Sequence, residues 1–560
     1  MNTMLMDNLF ALSALDEELF SQLAGIKPSN RYVFKESRSG ETVPSFCLQN
    51  GETLPLHSMV DPKREAQRLI ETALDASQDS GFIIFLGLGG GFAPEAALEM
   101  TDARIIVIEY CIDNIIELFS SVNYTKLLFN SRFTILADPT GAEIKNFILE
   151  NYLPVLCGGI KTIPLRTRIE QDREKFEEAV SSIQEAIENV SSDYSVQAHF
   201  GLRMFSNIIH NVKAAESCEN FFAEKKSKPI QETAIVAAGP SLDRQLSMLA
   251  ELKARGGFVI SSDTALPVLL HNGIEPDTVV SIDCQHISSY HFFGCDLRNI
   301  PLVLDIASPP LLSRLARPVF FSSGHPLARY ICAQWKPFVQ LDTSGGNVTY
   351  ACLSLAENLG AKNITLFGAD FSYIRSQTYA RGTYIYPYFY KKQNRLSPAE
   401  AQFSAFLYRN PFIPAQDGKI KNYYETTSLR FYRKKLEEKA SIMTANISCA
   451  PGEGAPVNLQ KAPNASTPPC ADFDAKETVS GTDFLEQYSR EIAALPDAKG
   501  TESYIEKLNS QERQVFATLL PYAAAIKKRN MELKREDLIE EVKRRSIKEI
   551  ERTLTTPAIV

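Results

Sequence analysis

Seven short apolar runs between Thr233 and Asp370 carry glycine, serine or aspartate at or near their ends. They read TAIVAAG, GFVISS, TVVSID, PLVLDIA, PVFFS, FVQLD and NITLFGAD. Helical patterns fall between them at Leu242–Lys253, Ala265–His271 and Val348–Leu359. Strands that are apolar on both faces need cover on both faces, so the pattern predicts a doubly wound parallel sheet with helical crossovers. Such a sheet collects its small polar residues at the carboxyl edge. Open α/β sheets bind ligands at that edge, where the strand order reverses.

A second series of the same kind lies earlier. GFIIFLGLGGG (81–91) reads as a buried strand running into glycines, Pro94–Met100 as a helix and ARIIVIEY (103–110) as the next strand. Before it, Arg31–Val33, Ser45–Leu48 and Leu54–Leu56 suggest short strands around Ser39-Gly40 and Asn50-Gly51. The expected fold class is α/β, with two Rossmann-like doubly wound parallel sheets joined by helices and an all-α C-terminal domain. The expected division is a Rossmann-like domain at 1–160, a helical connector at 161–230 and a central α/β domain at 231–447. A Pro/Ala/Ser/Gly-rich linker or exposed loop follows at 448–480, then helices at 481–560.

Composition excludes several classes. The hydrophobic fraction of 44% excludes a wholly disordered chain. Lysine plus arginine number 59 against 67 acids, a net charge of −8, so the chain lacks the broad positive field of a nucleic-acid binder. No apolar run is long enough for a transmembrane helix. The N-terminal stretch carries Asp7, Asp16, Glu17 and Glu18 and reads as an amphipathic helix, not a signal peptide. The ten cysteines show no zinc spacing, and most sit in apolar runs, which suggests a cytoplasmic home. The sequons at Asn347 and Asn464 then read as chance.

The first glycine loop, Gly87, Gly89 and Gly90, precedes a helix, and Glu109 ends the following strand. That is the layout of a dinucleotide or S-adenosylmethionine site, with the acid accepting from ribose hydroxyls. It is equally the layout of a structural turn, with Pro94 in ordinary first-turn chemistry.

The second loop, Gly239-Pro240-Ser241, is sharper. Glycine permits close backbone approach, proline stiffens the turn, and Ser241 either caps the next helix or offers its hydroxyl and N–H to a phosphate. Further along the expected edge stand Ser261, Asp263 and Thr264, then Asp283, Asp305, the Thr343–Asn347 loop and Asp370. So many small polar and acidic residues on one edge indicate a ligand site beyond simple helix capping.

These residues carry a resemblance. GPSL, SSDTALPVLLHNGIEPDTVVSID and GGNVTYACLSLAENLGAKNITLFGADFSY resemble the motility accessory factor (Maf) flagellin glycosyltransferases. Their central domain is named for its likeness to the archaeal 6-hydroxymethylpterin diphosphokinase (MptE-like). The stretch Leu56-His57-Ser58, Asp61-Pro62 and Glu65-Ala66 before the first glycine loop also looks like that family. The resemblance implies transfer of a nonulosonic acid, of pseudaminic or legionaminic type, from a CMP-activated donor to Ser/Thr of flagellin. It implies Gly239, Pro240 and Ser241 at the nucleotide and Ser261, Asp263 and Thr264 beside the ribose or base. It further implies Gly345, Gly346 and Asn347 lining the donor pocket, with Asp283 and Asp370 facing the reaction centre. The family's Thr-His-Ala element is matched by Thr378-Tyr379-Ala380, so its histidine is missing here.

Transfer requires a held phosphate and a base for the acceptor alcohol. Asp283 is the first candidate base and Asp370 the second, although either aspartate is also a suitable cap. His286, His291 and His325 follow strands, and Tyr384 and Tyr388 lie in a tyrosine-rich stretch suited to an aromatic wall. Two other classes remain open. One is a pterin diphosphokinase-like phosphotransferase, which needs two carboxylates for Mg²⁺, with Asp263, Asp283 and Asp370 as the candidates. The other is a non-catalytic flagellin chaperone. A methyltransferase at the first loop is a weaker fourth. No metal requirement follows from the residues.

Overall fold

The computed structural model describes residues 3–23, 25–48, 51–75, 80–216, 218, 230–315, 317–409, 415–416, 423–463, 479–498 and 504–556. Asn464 and residues 464–478 of the expected linker lie outside the described residues, as do 217 and 219–229 of the expected connector. The chain forms two compact units. The first comprises Met1–His199, Asp497–Lys507 and Ala523–Ile539; the second comprises Phe200–Pro496, Leu508–Tyr522 and Glu540–Val560.

In the first unit, β1 (Tyr32–Glu36), β2 (Thr42–Cys47) and β3 (Thr53–Pro55) form an antiparallel meander. A parallel sheet follows from β4 (Phe82–Leu86), β5 (Arg104–Glu109), β6 (Phe133–Ala137) and β7 (Ile160–Pro164), in the order β6-β5-β4-β7. Alternate residues of its strands enter different cores. Ile83, Phe85, Ile105 and Val107 pack on one side, while Phe82, Ile84, Ile106 and Ile108 pack on the other. That two-sided burial is why these strands read as unbroken apolar runs.

The second unit is built on an eight-stranded parallel sheet. Its strands are β8 (Glu232–Val236), β9 (Phe258–Ser262), β10 (Thr278–Ser281), β11 (Pro301–Asp305), β12 (Arg317–Ser322), β13 (Val339–Gln340), β14 (Asn363–Phe367) and β18 (Asn446–Cys449). The order is β13-β12-β11-β10-β9-β8-β14-β18. The chain winds outward from β8 to β13, then returns to lay β14 on the other side of β8. The reversal point is therefore between β8 and β14. Between β14 and β18, a small antiparallel sheet joins β15 (Tyr373–Ile374), β16 (Ala415–Gln416) and β17 (Tyr423–Tyr424).

The expected linker or exposed loop starting at 448 needs correction for 448–450. Residues Asn446–Cys449 pair with β14, and Ala450 N–H continues the ladder to the Leu366 carbonyl at 2.9 Å. The strand is short, polar and at the sheet edge, so no apolar run announced it.

The C-terminal region is helical, at Gly481–Ala494, Ser510–Arg529 and Arg535–Thr555, and contributes to both units. Gly201 is required where the helix Arg173–Glu216 meets Pro521, because a Cβ there would collide with the Pro521 carbonyl. No described helix is long and apolar enough to cross a membrane.

Candidate functional site

The two loops at the reversal point are tied together. Gly239 N–H donates to the Gly368 carbonyl at 2.8 Å, and Ser241 N–H donates to Asp370 Oδ2 at 2.8 Å. Gly239 has no room for a side chain, since a Cβ would strike the Gly368 carbonyl and the Asp370 carboxylate. Asp370 is buried, which raises its pKa, while the bonds from Ser241 pull it back. Ser241 does not cap the helix Leu242–Ala254 with its side chain. Its Oγ instead accepts the Glu453 N–H at 3.1 Å.

A third segment closes over this pair. The Asp370 carbonyl accepts Ala455 N–H at 2.9 Å, and Ser372 Oγ accepts the same group at 3.0 Å. A Cβ on Gly454 would lie 2.6 Å from Asp370 Cα. Beside the turn opens a cavity of about 450 Å³ whose lining includes Ser241, Arg244, Arg375, Arg381 and Glu453. Sequence reading missed Arg244, Arg375, Arg381 and the 452–454 loop. The glycine pair in Gly452-Glu453-Gly454 was the available signal, and it was absorbed into the expected linker.

A second cluster sits at the ends of β9 and β10. Asp263 is buried and fully engaged: Oδ1 accepts Thr264 N–H at 2.6 Å and its hydroxyl at 3.0 Å, and Oδ2 accepts Ser281 Oγ at 2.8 Å. Ser261 is buried, with its hydroxyl donated to the Ser262 carbonyl. Asp283 is only half-buried and accepts Gln285 N–H at 2.9 Å. Burial raises its pKa, the Gln285 bond opposes that, and the charge of Asp263 adds to it. His291 lies close enough to bias Asp283 and sets its ring edge-on to Tyr384 at 4.5 Å. His286 is exposed. Two buried asparagines hold the loops behind this cluster. Asn207 Nδ2 donates to the carbonyls of Cys284 and Ala307, and Asn211 Nδ2, one helical turn on, to those of Ile306 and Ser308. Their spacing on the connector helix was visible but carried no motif.

Gly345, Gly346 and Asn347 shape the entry to the helix Val348–Asn358, which packs beneath β8, β9 and β10. Asn347 caps it by accepting Tyr350 N–H at 3.1 Å. Gly346 has φ 71° and faces the Tyr432 ring. Thr378 is buried with its hydroxyl unpaired. His325 accepts Leu327 N–H at 3.2 Å, and burial lowers its pKa to about 4. Tyr384 and Tyr388 both line a cavity of about 540 Å³ with Tyr290, Phe293 and Phe389.

The first glycine loop is filled by the protein itself. Gly90 N–H donates to His57 Nε2 at 2.8 Å, and the Gly89 carbonyl accepts Tyr124 OH at 2.5 Å. A Cβ on Gly89 would lie 2.6 Å from His57 Nε2, and Gly87 adopts φ 102°. Glu109 is fully buried and accepts from Leu88 N–H, Tyr110 N–H, Asn114 and Arg168. The acid expected on a ribose is thus the partner of a buried arginine, and the loop has a structural task.

Among the described residues no group of three His, Cys, Asp or Glu is arranged to hold a metal ion.

Residues 203–376 match the family model for 6-hydroxymethylpterin diphosphokinase MptE-like proteins. The chain carries an MptE-like domain over these residues. The whole chain superposes on the structure of the MAf glycosyltransferase from Magnetospirillum magneticum AMB-1, with TM-score 0.58, 15% identity, and coverage of 100% of this chain and 98% of that one. An uncharacterized protein of Treponema pallidum (strain Nichols) is 41% identical over 93 residues, 17% of this chain. The match spans 33% of that relative's length. A second uncharacterized protein of the same organism is 28% identical over 195 residues, 32% of this chain and 89% of the relative.

Proposed function

We propose that the protein is a glycosyltransferase that moves a nonulosonic acid, of pseudaminic or legionaminic type, from its CMP-activated form to Ser/Thr hydroxyls of flagellin. We place this reaction in the cytoplasm, in support of flagellar assembly and motility. One observation carries the reading: the Gly239–Ser241 turn, held by Asp370 at the strand reversal, borders a cavity lined by three arginines. Likeness of the whole fold to a glycosyltransferase supports it.

In this reading the cytidylate phosphate sits by the Ser241 turn, at the N-terminus of the helix Leu242–Ala254. The glycosidic bond to phosphate breaks, and its electron pair leaves on the phosphate oxygen. The acceptor hydroxyl oxygen bonds to the anomeric carbon from the opposite face and gives its proton to a carboxylate. Asp283 is assigned that role: it is half-buried, its pKa is raised, and it retains access that Asp263 and Asp370 lack. Asp370 is assigned to holding the nucleotide turn. Tyr384 walls the sugar. Ser261, Asp263 and Thr264 shape the ribose side, with Gly345, Gly346, Asn347 and Thr378 completing the donor pocket.

A diphosphokinase-like phosphotransferase is the second reading, favoured by the description of the matching family model. Calorimetric titration separates the two. CMP is expected to bind the wild type, to bind Ser241→Ala more weakly, and to bind Asp283→Ala normally while sugar transfer to flagellin, followed by intact mass, is lost. Absence of CMP binding alongside binding of ATP with Mg²⁺ overturns the transferase reading.

A further inference from the structure

We propose that Arg244, Arg375 and Arg381 form an oxyanion seat beside Ser241, and that Glu453 fills this seat until an anionic group of the donor displaces it. In naming the donor this rests on the transferase reading above. Glu453 Oε1 meets Arg244 Nη1 at 2.7 Å and Arg375 Nη2 at 2.6 Å. Arg381 lines the same cavity and anchors its loop by donating its backbone N–H to Asp243 Oδ1 at 2.9 Å. One carboxylate oxygen shared between two guanidiniums is the arrangement in which arginines hold a bound carboxylate or phosphate. Here a side chain of the same chain supplies it.

Three features make Glu453 a removable occupant. Arg244 is 61% exposed and Arg375 36%, and ion pairs this open to water contribute little to stability. Arg375 and Ser376 are consecutive non-glycine residues in the left-handed region, at φ 53° and 59°. Backbone held in that region persists where its surroundings over-determine it, as at ligand clamps. Lastly, Glu453 N–H occupies the Ser241 hydroxyl. Withdrawal of the 452–454 loop therefore frees two guanidiniums and one hydroxyl together. A phosphate dianion gains more from three arginines than a single carboxylate does. Burial raises the Glu453 pKa, but Arg375 and Arg244 more than offset it, so the occupant is charged and competes as an anion.

The seat takes a phosphate or a carboxylate, and a CMP-nonulosonic acid carries both. The experiment is calorimetric titration of the wild-type full chain and of Glu453→Gln, Arg375→Ala and Arg244→Ala. The probes are inorganic phosphate, CMP, cytidine and a free nonulosonic acid. Glu453→Gln is expected to bind phosphate and CMP about tenfold more tightly, a gain of about 1.4 kcal/mol. Both arginine variants are expected to bind them more weakly, and cytidine, which has no anion, to respond to none of the substitutions. A gain seen with the free sugar acid instead of CMP assigns the seat to the carboxylate and sustains the proposal. Unchanged affinities in Glu453→Gln, with CMP still binding, overturn the seat and leave the transferase standing. Tighter phosphate binding in Glu453→Gln with no CMP binding in any variant keeps the seat and removes the transferase.

Discussion

Ser241 and Asp370, 129 residues apart in the chain, share a 2.8 Å hydrogen bond from backbone N–H to carboxylate Oδ2. It ties the loop after β8 to the loop after β14 at the reversal of strand order. Asp370→Ala leaves a buried N–H without its acceptor, at a cost of about 1–3 kcal/mol. Asp370→Asn retains an acceptor oxygen and is expected to cost less than about half as much. Urea denaturation of both variants checks the order; equal losses would show that the bond does not matter.

Gly239→Ala places a methyl group against the Gly368 carbonyl and the Asp370 carboxylate, and the first of these is backbone that cannot swing aside. The expected outcome is a chain that still folds, with a lowered melting temperature and CMP affinity reduced at least about tenfold, as 1.4 kcal/mol of displacement would give. Wild-type affinity in this variant would place the nucleotide elsewhere.

Asp305, at the end of β11, is buried, and that burial pushes its pKa up to about 6, against the Ser323 and Ala307 hydrogen bonds. A carboxyl whose folded pKa exceeds its unfolded one binds protons more tightly when folded. Its contribution is complete below about pH 4 and is lost as pH rises through about 6. Asp305→Asn supplies a permanently neutral side chain. It is expected to stabilise the protein by about 2–3 kcal/mol at about pH 8 and by almost nothing at about pH 4. Thermal melting at both values tests this, and an equal difference at both would refute the burial argument.

Arg168 and Glu109 form a fully buried pair in the first unit, with Nη2 to Oε1 at 2.7 Å. Arg168 also bonds Asp172 Oδ2 at 2.6 Å and Tyr32 OH at 2.9 Å. Arg168→Met strands a buried carboxylate and is expected to cost about 3–5 kcal/mol. Adding Glu109→Gln recovers part of that loss, because the uncompensated charge is gone. Hydrogen exchange of the β4 and β5 amides reads the effect locally; additive losses in the double variant would contradict the coupling.

Much of the fold was legible because two-sided burial leaves unbroken apolar runs. Those runs located β8 to β12 and β14 well, and the small polar residues at their ends marked the edge that holds the candidate site. The strand β18 was not legible, being four residues long with a mostly exposed pattern. Glu453 and the three arginines were missed for a related reason: they come from three separated segments, one a helix and two loops, and each alone looks like an ordinary surface charge. In the first glycine loop the spacing suggested a ribose-binding acid, but spacing does not reveal that Arg168, 59 residues later, fills that place.

By itself the sequence determined the class of fold and the edge where the small polar residues gather. Both follow from local rules, the period of apolar residues and the backbone freedom of glycine, which act within a few residues. Which loops meet at that edge was decided only by the tertiary structure. Strand order is set by packing between segments more than 100 residues apart, and that order brings Asp370 to Ser241 and Glu453 to Arg244 and Arg375. It likewise closes the first glycine loop with His57 and Arg168, side chains whose positions no local pattern specifies.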